Sequence, residues 1–451
     1  MSALRFRASG ALAALAPALR RALIDRDASE VAGADAATAA ADRPVGSTDV
    51  PAVVARMIAR VRAEGDAALR DFAREFDGVA LDALEVPRAE WDAALAALDP
   101  ALRRAMERSA RNIRAVHEAF APEARECITP DGVRIARRPD PLERVGVYAP
   151  GGRASYPSSL LMGAIPARVA GVKEVVVCSP PGPDGRPSGV LLAAAALAGV
   201  DRVFAVGGAG AVAAMAHGTE SVPAVDRIVG PGNAYVAEAK LQVSSVVGID
   251  SPAGPSELLI LADDSASPVV LAREILAQAE HDPDAAVILV TEAVGLADAV
   301  RLALTDAIAR EPRASVIRTA LERRGALLTT CSLAEAAAFS NEWAPEHLLL
   351  IVRPEAVPPM LEALRNAGTI FVGSSASVAF GDYLSGANHV LPTGGAARRY
   401  SGLSTSDFVR WTTTQWIDMR AAAALARDTE TFARAEGLPA HANAAAQWAD
   451  A

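Results

Sequence analysis

Residues 144–152 read Arg-Val-Gly-Val-Tyr-Ala-Pro-Gly-Gly, and the character of the chain changes here. Before this stretch, two regions at 52–76 and 100–120 carry apolar residues at three-to-four spacing, which predicts helices. After it, short β-branched runs alternate with Ala-rich helical runs. This alternation is typical of parallel strands connected by helices that cover the faces of a sheet. The chain is therefore predicted to be an α/β protein.

The alternation occurs in two series, which predict two tandem Rossmann-like parallel-sheet domains with a boundary near residues 250–256. The first series predicts strands at 175–178, 203–206 and 228–229 and helices at 189–198 and 211–217. The second predicts strands at 258–262, 286–291, 326–329, 347–352 and 369–372 and helices at 269–281, 295–310, 333–340 and 357–366.

Helical N- and C-terminal extensions are expected to flank the two α/β domains. The predicted organisation is an N-terminal helical segment at 1–48, a catalytic α/β domain with a helical lead-in at 49–147 and 256–403, a second Rossmann-like domain at 148–255, and a C-terminal tail at 404–451. Helices are predicted in the tail at 410–427 and 429–435. Because such a short amphipathic segment cannot bury its apolar face alone, the tail is expected to dock on its own body or on another subunit.

Composition restricts the possible classes of protein. The chain has 451 residues, of which 51% are hydrophobic and 22% charged, so it can build buried cores. A formal net charge of −10 argues against nucleic-acid or anionic-membrane partners. No stretch approaches the roughly 20 apolar residues of a membrane span. Three scattered cysteines offer no disulfide framework and suit a reducing cytoplasm.

The histidines are the most informative residues of the C-terminal half. Four of the six lie beside carboxylates or amides. Gln278 and His281 are three positions apart, so one helix face presents both, and an imidazole with an amide oxygen suits a divalent metal such as zinc. Taken alone, this pair is better explained by a histidine that caps the carbonyl groups at the end of its helix.

Three further polar groups are candidates for proton transfer or metal binding. Glu346 and His347 form an acid–base pair before a predicted strand, although an incidental surface pair is an open alternative. Asp382 and His389 lie in a Gly/Ser/Asn-rich loop, where functional groups and simple polar turns both occur. In the tail, His441 follows Glu436 by five residues and is by itself compatible with a solvated surface.

A glycine-rich stretch at 208–213 follows a predicted strand and opens a helix, so it fits the GxGxxG/A dinucleotide template. The acidic residue expected about 20 positions later is only loosely matched by Asp226. In a chain so rich in Gly and Ala, a chance turn explains the stretch equally well.

Several longer motifs resemble those of the histidinol dehydrogenase family from about residue 30 to the end of the chain. They are Gly-Gly-Arg-Ala-Ser-Tyr-Pro-Ser-Ser at 151–159, Gly-Pro-Gly-Asn-Ala-Tyr-Val at 230–236, Asp-Ser-Pro-Ala-Gly-Pro-Ser-Glu at 250–257 and Ser-Thr-Ser-Asp-Phe at 404–408. They occur in the expected order together with the histidine signatures.

The resemblance implies a cytoplasmic enzyme that oxidises L-histidinol through L-histidinal to L-histidine, the last steps of histidine biosynthesis, with one zinc per subunit and two NAD. By family analogy the zinc ligands are Gln278, His281, Asp382 and His441, all of which also lie close to the substrate. Further substrate contacts are Ser256, His347, His389 and Glu436. The cofactor contacts are Tyr148, Gly210 and Asn233.

The resemblance also implies roles and an assembly. His347 takes the alcohol proton and Glu346 activates water in the second oxidation. The family forms a homodimer in which the tail reaches the partner's site, which would account for His441 and Glu436 lying in the tail. One position departs from the pattern: many members have Gln where this chain has Gly210, which puts that cofactor contact in doubt.

Three other functions compete with this interpretation. A paralogous zinc/NAD dehydrogenase for another small polar alcohol would keep the metal site but change positions such as His389 and Glu436. A zinc hydrolase would use Glu346 to activate water but would need no nicotinamide. A catalytically silent nucleotide-binding partner would need neither the metal ligands nor the acid–base pair.

Overall fold

The computed structural model describes residues 4–26, 49–151, 155–251 and 254–450. It shows a mixed α/β protein with parallel sheets and helices, as the sequence predicts. The predictions for residues 27–48, and the parts of the family-like motifs at 152–154 and 252–253, lie outside the described residues. Among the helices in the described ranges, none has both the length and the apolar character needed to cross a bilayer.

The strands are β1 (Ala8–Ala11), β2 (Arg125–Ile128), β3 (Arg134–Pro141), β4 (Arg144–Tyr148), β5 (Glu174–Ser179), β6 (Arg202–Ala205), β7 (Arg227–Val229), β8 (Gly248–Ile249), β9 (Glu257–Ala262), β10 (Ala286–Thr291), β11 (Gly325–Thr329), β12 (His347–Ile351), β13 (Thr369–Val372) and β14 (Val409–Trp416).

The α-helices are α1 (Pro17–Ile24), α2 (Val50–Glu64), α3 (Asp66–Phe72), α4 (Arg88–Ala97), α5 (Pro100–Ala119), α6 (Pro157–Val169), α7 (Gly189–Ala198), α8 (Gly208–His217), α9 (Ala234–Val243), α10 (Pro268–Ala279), α11 (Val294–Ile308), α12 (Ala314–Arg324), α13 (Leu333–Trp343), α14 (Val357–Ala363), α15 (Val378–Tyr383), α16 (Met419–Ala435) and α17 (Pro439–Ala446). A π-helical turn at Ala73–Asp77 extends α3.

The first sheet contains five parallel strands in the order β6-β5-β4-β7-β8. Its central strands are runs of buried valines because helices cover both faces. The chain moves outward from β4 to β6 and then returns to the other side of β4 at β7. In open parallel sheets, the carboxyl ends of the strands at such a reversal form a crevice that accepts ligands.

The second sheet contains six parallel strands in the order β1-β11-β10-β9-β12-β13. The chain adds β10 and β11 on one side of β9 and then returns to the other side of β9 at β12. The side chains of β9 and β12 are buried. The edge strand β1 differs from the helical N-terminal segment that the sequence predicts. Backbone pairing of Ala8–Ala11 with β11 completes the sheet edge, and this tertiary pairing outweighs the helix preference of alanine.

The third sheet is antiparallel, in the order β14-β3-β2. Its strand β14 corrects the helix predicted from residue 410. The stretch Val409–Trp416 is rich in threonine and tryptophan, which favour strands, and it pairs with β3 along its whole length. The helical part of the tail begins only at Met419, after Asp418 caps its first turn.

The helices before residue 120 pack on the first sheet rather than the second. Helix α2 packs against α8 and α9, α4 against α7, and α5 against α6. Val54, Trp91 and Ile113 belong to the same core as the first sheet. This differs from the predicted grouping of 49–147 with 256–403, because these helices bury their apolar faces against the helices that cover the first sheet, and β4 is the central strand of that sheet.

The helix predicted over 52–76 is interrupted at Gly65. Its φ of +57° combined with a ψ of −130° is a backbone conformation that suits glycine, and the Glu220 side chain occupies the place of a Cβ atom. The Glu220 carboxylate accepts a hydrogen bond from the Asp66 backbone N–H at 2.8 Å. The break therefore lets α3 begin in a new direction.

Candidate functional site

The candidate site lies where β9 and β12 begin, at the amino edge of the second sheet. His347, the first residue of β12, is paired with Leu258, so Glu346 just before β12 lies beside Glu257, the first residue of β9. Ser256 lies half-buried just before β9, at the end of the connection from the first sheet. The parallel register thus brings Glu346, His347 and Ser256 to one edge of the sheet.

The main chain of Glu257 contacts both members of the predicted acid–base pair. Its N–H donates to Glu346 Oε2 at 2.8 Å, and its carbonyl accepts a hydrogen bond from His347 Nδ1 at 3.0 Å. Because Nδ1 carries the donated proton, Nε2 of a neutral His347 carries a lone pair. This arrangement leaves Nε2 available as a proton acceptor.

The His347 imidazole is only 4% exposed, and its Nε2 has no hydrogen-bond partner among the described residues. Two carboxylates lie near the ring, with Glu346 Oε2 at 3.5 Å from Nδ1 and Asp382 Oδ1 at 3.9 Å from Nε2. Burial lowers the pKa of His347, although the Asp382 carboxylate opposes this shift. The imidazole is therefore neutral near pH 7, as a general base requires.

Glu346 is also buried, with its carboxylate close to two others. Burial raises the pKa of Glu346 well above its usual value. The hydrogen bond from Glu257 N–H opposes this effect, whereas the negative charges of Glu257 and Asp382 add to it. A carboxyl group with a raised pKa keeps its proton to higher pH than an exposed one, and it is a stronger base once it is ionised.

His389 lies beside Asp382 and faces helix α6. Helix α6 belongs to the first α/β unit, by which we mean the five-stranded sheet with the helices α2–α9; the second unit is the six-stranded sheet with the helices α10–α15. Its Nδ1 donates to the carbonyl oxygen of Asp382 at 2.8 Å, and its Nε2 lies 3.2 Å from Ser159 Oγ on α6. With Nδ1 protonated, Nε2 accepts the hydrogen bond from the serine hydroxyl. Burial lowers the pKa of His389, so this imidazole is also neutral near pH 7.

Two helices of the first unit hold the loop that connects Asp382 to His389. From α5, Ser109 Oγ donates to the Tyr383 carbonyl at 2.5 Å and Asn112 Nδ2 donates to the Leu384 carbonyl at 2.7 Å. From the loop itself, the Asn388 side chain donates to the Met162 carbonyl of α6 at 2.8 Å. The position of Asp382 and His389 therefore depends on both units.

The C-terminal end of α10 brings the predicted metal ligands Gln278 and His281 toward Asp382. Glu274 Oε2 accepts from the Val378 backbone N–H at 3.0 Å, which joins α10 to the helix that carries Asp382. His281 is exposed, and it is close enough to His347 and His389 to contribute to lowering the pKa of both.

These three side chains fit part of a zinc site. Gln278 is 3% exposed, and its buried amide Nε2 has no hydrogen-bond partner among the described residues. An amide oxygen, an imidazole and a carboxylate are all zinc donors. Within the described ranges, no three His, Cys, Asp or Glu side chains converge to hold a metal by themselves. A zinc ion held here would take a further ligand from outside these three side chains.

His441 and Glu436 lie on the tail, apart from the other candidate residues at the second sheet. We call that set the second-sheet cluster; its predicted members are Ser256, Gln278, His281, Glu346, His347, Asp382 and His389. Glu436 follows the last residue of α16, His441 lies on α17, and both are exposed. In the part of the chain that the structure describes, neither side chain hydrogen-bonds or ion-pairs with the residues of the cluster. One chain alone therefore does not bring the whole predicted set together.

The predicted cofactor residues lie at the carboxyl edge of the first sheet. Tyr148 ends β4, and its hydroxyl accepts a hydrogen bond from the Gly208 N–H at 3.2 Å. Burial raises the pKa of Tyr148 to about 12. Asn233 caps α9 by accepting from the N–H groups of residues 235 and 236. A Cβ atom at Gly210 would lie 3.0 Å from Cδ2 of the Phe72 ring.

A buried ion pair holds the turn between β7 and α9 at this edge. Lys240 and Asp250 are both buried and paired with each other. Lys240 Nζ donates to the Gly230 carbonyl at 3.1 Å, and the Gly230 N–H donates to Asp250 Oδ2 at 2.7 Å. Gly230 has a φ of +114° and contacts the Tyr148 backbone, so a side chain there would collide with it.

Sequence reasoning missed two residues of the second-sheet cluster, Arg26 and the side chain of Glu257. The Arg26 guanidinium binds the Glu257 carboxylate through two hydrogen bonds, of 2.6 Å and 3.0 Å. Glu257 is the last residue of the motif at 250–257 and the first of a fully buried strand, and a buried carboxylate requires a cation or hydrogen-bond donors beside it. No local pattern identifies Arg26 as that cation, because 231 positions separate the two residues.

The chain is similar to known proteins over nearly its whole length. The family model for histidinol dehydrogenase matches residues 42–447. A histidinol dehydrogenase of Natronomonas pharaonis is 47% identical over 434 residues, which are 96% of this chain and 97% of the relative. One of Methanosarcina barkeri is 46% identical over 404 residues, 89% of this chain and 92% of the relative.

A solved structure agrees with the fold. The crystal structure of histidinol dehydrogenase from Elizabethkingia anophelis matches with a TM-score of 0.90 and 32% identity, and the match covers 98% of each chain. The similarity therefore includes the first sheet, the second sheet and the tail.

Proposed function

Because this chain belongs to the histidinol dehydrogenase family, a family of oxidoreductases of histidine biosynthesis, we propose that it performs the complete oxidation of L-histidinol through L-histidinal to L-histidine, with zinc and two NAD. The observation that carries this proposal is the His347–Glu346 pair. A neutral imidazole with a free, buried Nε2 lies beside a carboxyl group whose pKa is raised, as successive oxidations of an alcohol and an aldehyde require.

The proposed zinc ligands are Gln278, His281 and Asp382 of one subunit and the partner subunit's His441. When bound, zinc would act as a template and Lewis acid for the amino and imidazole nitrogens of the substrate. The buried amide of Gln278, whose Nε2 has no hydrogen-bond partner among the described residues, supports a ligand in this place, because a flip of the amide group exchanges Nε2 for the oxygen that binds a metal. The exposed position of His441 supports a donor that serves another chain, because it lies apart from the cluster in its own chain.

The substrate is proposed to lie between the two units, against Ser256, His389 and His347. Ser159 and the helix pair α5 and α6 orient His389, so the first unit helps to position the imidazole that contacts substrate. The partner's Glu436 is proposed to close the site on the other side. Enclosure of this kind retains the aldehyde between the two steps.

We place NAD at the carboxyl edge of the first sheet, which we interpret as a Rossmann-like unit, near Tyr148 and Asn233. When bound, NAD supplies the hydride acceptor for each step. The reversal of strand order between β4 and β7 and the rigid Gly230 turn support this location. Gly210 has no side chain, so any contact with NAD at this position is made by its backbone, and the Phe72 ring fills the space where a side chain would begin.

In the first step His347 Nε2 takes the hydroxyl proton of L-histidinol as the carbinol carbon loses hydride. The hydrogen bond from His347 Nδ1 to the Glu257 carbonyl stabilises the resulting imidazolium. In the second step ionised Glu346 removes a proton from a water molecule that adds to the aldehyde carbon, while the His347 imidazolium returns its proton to the aldehyde oxygen. The hydrate that forms then loses hydride as the again neutral His347 takes one hydroxyl proton. The carboxylic acid that results loses its remaining hydroxyl proton to solvent and leaves as the carboxylate.

The alternative is a paralogous zinc/NAD dehydrogenase that acts on another small polar alcohol. It would share the cluster at β9 and β12 and differ in the groups that recognise the imidazole of L-histidinol. Such an enzyme would reduce NAD with other amino or sulfonated alcohols and not with L-histidinol, so a substrate comparison separates the two.

Removal of the metal provides the experiment on the zinc proposal. We expect a chelator to abolish NADH formation from L-histidinol and added zinc to restore it, because the bound zinc would position the amino and imidazole nitrogens of the substrate. Metal content measured by atomic emission on the same samples should follow the activity. Full activity in protein that has lost its metal would contradict the proposal.

Shared sites predict complementation between subunits. His281→Ala and His441→Ala should each lose activity through weaker zinc binding. A heterodimer purified with two different tags should regain one intact site, and therefore about half of the wild-type kcat per dimer. The matched control pairs His281→Ala with Gln278→Ala, which damage the same cluster and should not complement. An inactive first heterodimer would rule out the shared site.

A further inference from the structure

Arg26 is the described cation that neutralises Glu257. Its guanidinium forms the two-pronged ion pair described above, and the side chains of both residues are at least nine-tenths buried. It also lies over the Trp343 ring, 4.3 Å from its centroid, and donates to the Trp343 carbonyl at 2.7 Å. An arginine held by a carboxylate, a ring and a carbonyl has a fixed geometry that lysine cannot reproduce.

Backbone strain is concentrated at the same contact. In the described residues, Arg26 and Ala344 are the two non-glycine residues with positive φ, at 54° and 52°. They meet where Arg26 Nη2 donates to the Ala344 carbonyl at 3.4 Å. Left-handed backbone persists at such residues only where their surroundings hold it, and it often occurs at functional sites. Ala344 is followed after one proline by Glu346 and His347.

Glu257 transmits this contact to the acid–base pair. Its side chain, held by Arg26, also accepts from the Gly394 N–H at 2.9 Å. Its main chain donates to Glu346 and accepts from His347, as described above. Arg26 thus fixes the pair from two directions, through Glu257 on β9 and through Ala344 at the turn into β12.

We propose that Arg26 is a positioning residue for the Glu346–His347 pair, so that the N-terminal segment, which lies before the residues matched by the family model, is part of the catalytic apparatus. The inference rests on the proposed function for its kinetic consequence. Its structural consequence, the placement of the His347 ring, can be measured separately.

The kinetic test is Arg26→Ala in the full-length, zinc-loaded protein. We expect kcat for L-histidinol to fall by about 10²-fold, the effect of misplacing a catalytic group by about 1 Å. The KM for L-histidinol should stay within about threefold of wild type, because Arg26 does not contact substrate. Millimolar guanidinium should restore most of the lost kcat by occupying the vacated place, and Arg26→Lys should recover only part of it.

The matched control is Arg20→Ala. Arg20 lies on the same N-terminal segment as Arg26, and its substitution removes an exposed ion pair with Glu342. It should leave kcat and the guanidinium response unchanged. A kcat for Arg26→Ala within twofold of wild type would overturn the proposal. A loss that guanidinium does not reverse, and that matches the fraction of unfolded protein, would also overturn it.

The second readout does not depend on activity. The ring nitrogens of ¹⁵N-histidine-labelled protein report the tautomer of His347, and its resonances are identified by their loss in His347→Asn. Arg26→Ala should shift the protonated Nδ1 resonance, and guanidinium should return it. An unchanged resonance would overturn the proposal. If wild-type protein gave no NADH from L-histidinol, the proposed function would fail, and this measurement would still decide the role of Arg26.

Discussion

Replacing His347 with asparagine should lower kcat for L-histidinol oxidation by about 10³-fold, in the middle of the range for loss of a general base. The asparagine amide can donate to the Glu257 carbonyl in place of Nδ1, but it offers no basic atom where Nε2 lies. Because His347 is not a proposed zinc ligand, the metal content should not change. Steady-state NADH formation and metal analysis on one preparation measure both quantities.

The matched control for this variant is His217→Asn, a half-buried histidine on α8 that belongs to the first unit. It should change kcat by less than about threefold, as expected for a substitution remote from the reacting groups. If His347→Asn loses its zinc, His347 has been misplaced in the mechanism and belongs to the metal site instead. A variant that keeps both zinc and activity would exclude His347 as the base.

Replacing Glu346 with glutamine should separate the two oxidations. We expect the oxidation of supplied L-histidinal to fall by about 10²-fold or more and that of L-histidinol by less than tenfold, since general-base activation of water is needed only in the second step. Glutamine has nearly the same shape and its amide oxygen can still accept from Glu257 N–H, so the structural contact is retained. Single-turnover reactions started from either substrate give both rates.

In Glu346→Gln, L-histidinal should therefore accumulate during turnover of L-histidinol and should be trapped by an aldehyde reagent. Wild-type protein, in which the second step is fast, should release little aldehyde under the same conditions. Equal losses in both half-reactions would count against water activation and would assign Glu346 a structural role beside Glu257.

The buried strands are predictable from the sequence because short runs of β-branched and aliphatic residues seldom form anything but buried strands. The strand predicted at 286–291 agrees with β10, and the one predicted at 369–372 agrees with β13. β-Branched and aliphatic residues in short runs between helical segments indicate a sheet covered on both faces. The helix at 189–198 was equally clear, since Gly199 ends it with a φ of +71°.

The elements that were missed depend on contacts distant in sequence. Strand β14 forms because β3 offers it a partner more than 260 residues earlier. Strand β1 is alanine-rich and becomes a strand only at the edge of the second sheet. The amphipathic pattern of the helices before residue 120 shows that one face is buried, but it does not show what covers that face. The sequence therefore groups these helices with the second sheet, whereas they pack with the helices of the first.

The site shows the same division. Adjacent residues such as Glu346 and His347, or Asp382 and His389 within one short loop, were identified from their local signatures. The hydrogen bonds that set their properties come from Glu257, Ser159 and α5, which no local pattern links to them. The proposal that His441 and Glu436 reach a partner's site comes from the family resemblance, because no local pattern in the tail points to the residues around Asp382.

The central claim is that one site oxidises L-histidinol twice, and the most direct measurement is the number of NADH formed per L-histidinol consumed. The wild-type, zinc-loaded protein should give two NADH and one L-histidine for each L-histidinol. A ratio of one, with L-histidinal as the product, would contradict the second oxidation. No NADH from L-histidinol would contradict the substrate and would favour the paralogous dehydrogenase.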